Sequence, residues 1–245
     1  MIDLYYSWYS ICSEKVLIAL FEKELDFEGH HIDLFDFAQV EPEYQTVSPN
    51  GTVPVLIDNG RHVLECTVIN EYLEDAYPEP RLTPTDPFAR ADMRYWVQMF
   101  QDKVFPAAGV LSQVHFIAAE LKRRWTQEEL EDRNRRKIGK ARIARQLRAV
   151  REGFSPEDLA VAEEQIVSVL DGVEETLSDG RDWLAGDFSL ADAAAAPNIY
   201  RFTIIDRNDL LTARPNVLAW SKRLLERPSV VRCYEYAPSV REAAA

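Results

Sequence analysis

Apolar and polar positions alternate over residues 2–6 (Ile-Asp-Leu-Tyr-Tyr) closely enough for a β-strand. Between Ser13 and Glu24, Val16, Leu17, Leu20 and Phe21 fall at helical spacing. Phe27 to Leu34 reads as a second strand with His30, His31 and Asp33 interleaved, which makes the first thirty-odd residues a βαβ unit. The runs 53–58 and 61–65 flank Asn59-Gly60, a strong hairpin signal, because both central residues of a type I′ turn need positive φ. From Thr67 to Tyr77 the residues Val68, Ile69, Tyr72 and Leu73 recur helically, until Pro78, Pro80 and Pro84 stop the helix. Beyond this proline-rich stretch strand signals largely cease. The clearest later helix runs from Glu157 to Leu177, with Leu159, Ala162, Ile166, Leu170, Val173 and Leu177 in one stripe. The expected architecture is an α/β domain of βαβ-ββα form over 1–79, a linker over 80–86 and an all-helical domain over 87–245.

A chain of 245 residues, 47% hydrophobic and 28% charged, has the material for one large core or two small ones. Its net charge of -13 repels polyphosphates and anionic membranes at long range, so no nucleic-acid or membrane partner is expected without a local basic patch. Such a patch exists: residues 121–151 hold 12 of the 28 Lys and Arg but 4 of the 41 Asp and Glu. Trp125 is its single aromatic residue, so it lacks stacking platforms. Solvated helix faces, or docking against an acidic face of a second subunit, are the expectation there. The N-terminus has no basic segment followed by an apolar one, and no stretch approaches a membrane span, so a cytoplasmic location is expected. Cys12, Cys66 and Cys233 form neither a disulfide framework nor a metal-ligand set, which suits a reducing compartment. A functional cysteine here would be reactive.

Three local features carry candidate chemistry. In the stretch 48–56 the proline of Val53-Pro54 opens a strand, and a cis bond there would present the Val53 backbone to a ligand. An ordinary loop proline is the alternative. Glu65-Cys66-Thr67 stands where a hairpin enters a helix, and helix N-terminal N–H groups can receive an anion. A plain cap made by Thr67 is the alternative. Ser10-Ile11-Cys12-Ser13-Glu14-Lys15 lies between the first strand and the first helix, where a ligand thiol would meet backbone donors and the positive dipole end, both favouring the thiolate. Cys12 read alone is equally a small buried hydrophobe, and Ser13 an ordinary N-cap.

At these residues the sequence resembles the cytosolic glutathione transferases, over essentially the entire chain. The resemblance implies a thioredoxin-like N-terminal domain that binds glutathione as cosubstrate, a helical domain shaping a second-substrate pocket, and a homodimer. It assigns Val53, between Thr52 and Pro54, to backbone pairing with the cysteinyl part of glutathione, and Gln39 to the glycine end. It assigns Glu65 and Cys66 to the γ-glutamyl group. Cys66 stands where the family usually has Ser, so that contact passes to the backbone N–H or to Thr67. Ser13, Cys12 and Ser10 are the candidates for activating the thiol, and no metal is expected. Ser189 with Asp192 resembles the family's capping box at a buried helix. Trp8, Tyr9, Phe105, His115, Phe116 and Tyr200 are expected around the second substrate, a small apolar or aromatic electrophile.

Within the family, the stretches 65–75, 86–94 and 151–154 look like the bacterial glutathione-dependent β-etherases. Ser10-Ile11-Cys12-Ser13 is instead similar to reductive dehalogenases of chlorinated hydroquinones and to zeta-class maleylacetoacetate isomerases. The implied reaction is attack of the glutathione thiolate on an aromatic electrophile, with β-aryl ether cleavage first and dehalogenation or isomerisation second. A non-catalytic ligand-binding relative is the reading from a different class, prompted by Cys66.

Overall fold

The N-terminal alternation becomes strand β1 (Ile2–Tyr6), whose Ile2, Leu4 and Tyr6 point into the core. The structure is a computed structural model that describes residues 1–236. Residues 237–245, the end of the expected helical domain, lie outside the described residues, as do the side chains of Ala141, Arg142 and Arg145.

Helix α1 (Ile11–Glu22) returns the chain to β2 (Phe27–His31), which pairs parallel to β1. The second strand is shorter than the apolar pattern suggests, because Asp33 closes a turn: its Oδ1 accepts the N–H groups of Phe35 at 2.8 Å and Asp36 at 3.2 Å. A single-turn helix α2 (Pro42–Gln45) precedes β3 (Val55–Asp58) and β4 (Arg61–Leu64), which pair antiparallel. Their turn uses Asn59 at φ 49° and Gly60 at φ 75°, the conformation for which Asn-Gly is selected. Strand order is β2-β1-β3-β4, and α3 (Cys66–Ala76) completes the thioredoxin-like unit.

Helices follow. Pro87 to Arg124 form one 38-residue helix, α4, interrupted by wide π-type turns at 100–104 and 113–117. This helix is long enough to cross a membrane, and an 18-residue window of it averages 1.4 in mean hydropathy. The expectation that no stretch approaches that length is therefore corrected. Here Met93, Trp96, Phe100, Val104, Ala107, Ala108 and Leu111 are buried as one stripe against the other helices. Next come α5 (Gln127–Arg135), α6 (Lys140–Glu152), α7 (Pro156–Leu177), α8 (Leu190–Ile204), α9 (Asp209–Thr212), α10 (Pro215–Leu225) and α11 (Pro228–Tyr236). Helix α1 is buried nearly all round, from Val16 to Leu20, because α3 flanks it on one side and α8 and α11 on the other. Both halves thus share one core.

The expected capping box is present: Asp192 accepts the Ser189 N–H at 3.1 Å, and also the N–H of Leu184 at 3.2 Å and Trp220 Nε1–H at 3.0 Å. The basic insertion finds its acidic partner in its own chain. Arg124 reaches Asp33 at 3.1 Å and Asp36 at 2.8 Å, Arg136 reaches Glu41 at 2.8 Å, and Trp125 donates to the Phe35 carbonyl at 2.8 Å. Phe37, Val40 and Leu130 form a small separate core beneath these contacts. The expected solvated faces are there as well, with Lys122, Arg123, Arg135 and Lys140 exposed, but sequence alone could not bring residue 36 against residue 124.

A cleft between sheet and helices as the candidate active site

Three chain segments end on one cleft of about 360 Å³. The turn after β1 supplies Ser10 and Cys12, the approach to β3 supplies Thr52, Val53 and Pro54, and the step from β4 into α3 supplies Glu65 and Cys66. The Val53-Pro54 peptide is cis, and Val53 precedes the β3 register, which begins at Val55 opposite Tyr5. The Tyr44 and Ser48 hydroxyls donate to the Thr52 carbonyl at 2.7 and 2.9 Å and hold this loop from behind. Gly51, at φ 57°, adds to the wall; a Cβ there would lie 2.9 Å from the Gln39 carbonyl oxygen. Glu65 has φ 68°, uncommon for a residue with a side chain, and its carboxylate makes no bond to the helix it precedes.

Ser10 caps α1, its Oγ accepting the Ser13 N–H at 3.2 Å. The helix starts two residues earlier than the apolar spacing suggests, so Ser13 is neither the N-cap nor on the cleft wall. It is fully buried, and its Oγ accepts the Ser7 N–H at 3.1 Å. Gln39 is also off the wall, buried behind Gly51, with its Oε1 lacking a hydrogen-bond partner. Thr67 lies behind Cys66, beside a small void shared with Lys15 and Asn70.

Electrostatics distinguish the two thiols. Interaction with the neighbouring Cys12 thiol, with the Lys15 charge and the Thr67 N–H, outweighs burial and brings the Cys66 thiol down to about 7. Cys12 moves the other way, raised first by that same interaction with Cys66 and then by burial. Two residues that sequence reasoning did not single out support the thiols, Gln101 on the cleft wall and Lys15 behind it. Lys15 is fully buried and donates to Gln101 Oε1 at 2.9 Å, and Gln101 Oε1 accepts the Cys66 S–H at 3.6 Å. Lys15 had a local signal, one helical turn after Cys12. Gln101 had none, since only the fold of α4 carries it there.

Of the aromatic positions expected around a second substrate, Phe105 lines this cleft. The others stand elsewhere. Trp8 stacks on His31 at 3.9 Å, Tyr9 meets the edge of Phe35 at 4.5 Å, and Tyr200 stacks on Tyr234 at 3.6 Å. Phe116 lies under the Arg201 guanidinium at 5.2 Å, and His115 is exposed. Arg201 bridges the halves, donating to the Tyr9 carbonyl at 3.1 Å and contacting Ser112 Oγ at 3.4 Å.

Comparison with known families decides what this architecture is. Residues 9–76 match the family model described as glutathione S-transferase, N-terminal domain, and residues 96–223 match that of the C-terminal domain. The chain belongs to the glutathione S-transferase family. Protein LigF of Sphingobium sp. strain SYK-6 is 29% identical over 234 residues, spanning 91% of this transferase and 89% of LigF. The crystal structure of beta-etherase LigF superposes with a TM-score of 0.86 at 30% identity, covering 96% of this chain and 99% of that one. Glutathione S-transferase PARB of Nicotiana tabacum is 28% identical over 231 residues, 92% of this chain and 93% of its own. Glutathione transferase F7 of Populus trichocarpa, 24% identical, shows the same fold at a TM-score of 0.76 over 98% of this chain and 100% of that one. As a family member, the transferase uses glutathione as its cosubstrate.

Proposed function

We propose that this transferase seats glutathione on the unit 1–79, with the thiol at the N-terminus of α1, and directs the thiolate at an aromatic electrophile, first among them a β-aryl ether. The observation that carries the reading is the convergence of Ser10, Cys12, Val53, Pro54 and Glu65 on one cleft. The Val53 backbone pairs with the cysteinyl unit. The Glu65 carboxylate receives the γ-glutamyl amine, and the first N–H groups of α3 receive its carboxylate. Gln39 acts indirectly by backing Gly51, and Thr67 through the N–H it gives to Cys66.

Ser10 takes the activating role that Ser13 is buried too deeply to fill. Because the Ser10 oxygen already accepts a backbone N–H, its hydrogen is free to point at the glutathione sulfur. The thiolate attacks the carbon bearing the aryl ether, the C–O bond breaks, and the aryloxide departs. Phe105 offers the leaving ring an apolar face. LigF, described as a beta-etherase, supports this choice of substrate. Dehalogenation or isomerisation is the second reading, favoured by the half-exposed Cys12 on the same wall. Exposed Val68, Phe88 and Tyr95 on α3 and α4 support a homodimer, to be read by light scattering. Three free thiols suit the cytoplasm.

The test is turnover with glutathione on a β-aryl ether, a chlorinated hydroquinone and maleylacetoacetate. Ser10→Ala is expected to lower ether cleavage by about 10²-fold, the scale of one lost positioned donor. Ser13→Ala is expected to lower stability and leave turnover per folded molecule nearly intact. A Cys12→Ser variant that loses all turnover, with Ser10→Ala unaffected, would move the assignment to thiol chemistry.

A further inference from the structure

Cys12 and Cys66 reach the cleft from the first turns of two helices that pack on each other, α1 and α3, and both thiols line its wall. Both are free. The buried Lys15 ammonium bonds the same Gln101 oxygen as the Cys66 thiol, and its charge together with the Thr67 N–H favours an anion at Cys66. The third cysteine makes the contrast: Cys233 is fully buried, away from the cleft, its S–H directed at the Glu14 carbonyl at 3.9 Å.

We propose that Cys12 and Cys66 are a redox-active pair that closes to an intramolecular disulfide, with glutathione disulfide seated in the cleft as the oxidant. The proposal rests on the glutathione-binding reading for delivery of the oxidant. The pair's own chemistry does not depend on it. A disulfide holds its sulfurs about 2.05 Å apart, and rotation of two side chains that line one wall can bring them there.

The exchange starts from the monoanion of the pair. The half-exposed Cys12 attacks one sulfur of glutathione disulfide while its proton passes to the Cys66 sulfur. One S–S bond forms, the glutathione S–S bond breaks, and a glutathione thiolate leaves. Cys66 then attacks the Cys12 sulfur of the mixed disulfide, and its proton goes to the second departing glutathione. The sum is one protein monoanion and one glutathione disulfide giving one protein disulfide, one glutathione and one glutathione thiolate. The two cysteines lose the two electrons that the two glutathiones gain. Closure removes both thiols from the cleft and ties α1 to α3, so the glutathione redox ratio would govern how much of the transferase presents an open cleft.

The full chain is incubated with glutathione at a series of reduced-to-oxidised ratios, quenched with acid, alkylated and mapped by peptide mass spectrometry. Oxidising ratios should give one cross-linked peptide pair through Cys12 and Cys66, reversed by reduced glutathione, with Cys233 alkylated throughout after denaturation. Cys66→Ser should instead accumulate one glutathione on Cys12. A wild-type protein that carries a stable glutathione on one of these cysteines while the other stays free overturns the proposal. A parallel arm uses hydroxyethyl disulfide, which needs no glutathione site. Closure by that reagent without closure by glutathione disulfide overturns the seated oxidant. Failure with both overturns the pair itself, while calorimetry of glutathione binding reports separately on the binding reading.

Discussion

Single residues set the chemistry of the cleft wall. Glu65 stands exposed at positive φ, its carboxylate uncommitted to its own helix. Glu65→Ala should therefore weaken glutathione binding by about 10- to 100-fold in calorimetry, since a hydrogen bond to a charged group contributes roughly 1.5–3 kcal/mol. Unchanged affinity would remove Glu65 from the site. The thiols give a pH signature. With Cys66 brought down to about 7 by the neighbouring Cys12 thiol and the Lys15 charge, iodoacetamide alkylation in the cleft should accelerate as pH rises through about 7. A free thiol would respond near 8.5. Lys15→Met should move that midpoint upward, and an unmoved midpoint would show that Lys15 is not its cause.

At the level of elements, two buried carboxylates anchor helix and hairpin. Asp192 joins the start of α8 to the 184–189 turn and to Trp220 of α10 through three N–H donors. Asp192→Ala should cost at least about 2 kcal/mol in urea denaturation, because each buried donor left unsatisfied costs about 1–3 kcal/mol. Asp58 ends β3 and accepts the Tyr72 and Tyr77 hydroxyls at 2.7 Å each, binding the hairpin to α3 and the segment after it. Burial pushes this carboxyl up, but the Tyr77 and Tyr72 donors outweigh it and hold the group below its ordinary 3.8. A depressed folded-state value stabilises the fold above pH 3.8 and ceases to do so as pH falls through the folded value. The stability lost in Asp58→Asn should thus be largest near neutrality and shrink in acid. A gap independent of pH would refute the ionic origin.

Across the whole molecule, the insertion clasps the 33–41 segment that leads toward the cleft. Trp125 is its hinge pin, with the Arg133 guanidinium 3.5 Å above its ring and the Phe35 carbonyl at its Nε1. Trp125→Ala should cost about 1–3 kcal/mol, the usual range for losing a partly buried contact, and raise amide exchange in 33–41. Because Gln39 backs Gly51 on the cleft wall, glutathione affinity should fall as well. Exchange confined to 121–151 would show that the clasp does not reach the cleft.

Local pattern was enough for what local forces dictate. Strands two residues in period, helices at 3.6, the Asn59-Gly60 turn, the Ser189 cap and the Val53-Pro54 junction are each written within a few neighbouring residues, because backbone sterics and near hydrogen bonds determine them. Other features needed the assembled fold. The α1 start at Ile11 makes Ser10 the cap and buries Ser13, because the chain turning out of β1 places the Ser7 N–H against the Ser13 hydroxyl. Gln101 reached the Cys66 thiol through a wide turn in α4, and Arg124 of the basic insertion found Asp33 and Asp36 while Lys122, Arg123 and Lys140 stand in solvent. The pairing of Cys12 with Cys66 is of the same kind: two helix starts, 54 positions apart in the sequence, become neighbours only once the sheet and α3 have packed on α1. Distance along the chain hides such contacts, and burial of a common core creates them.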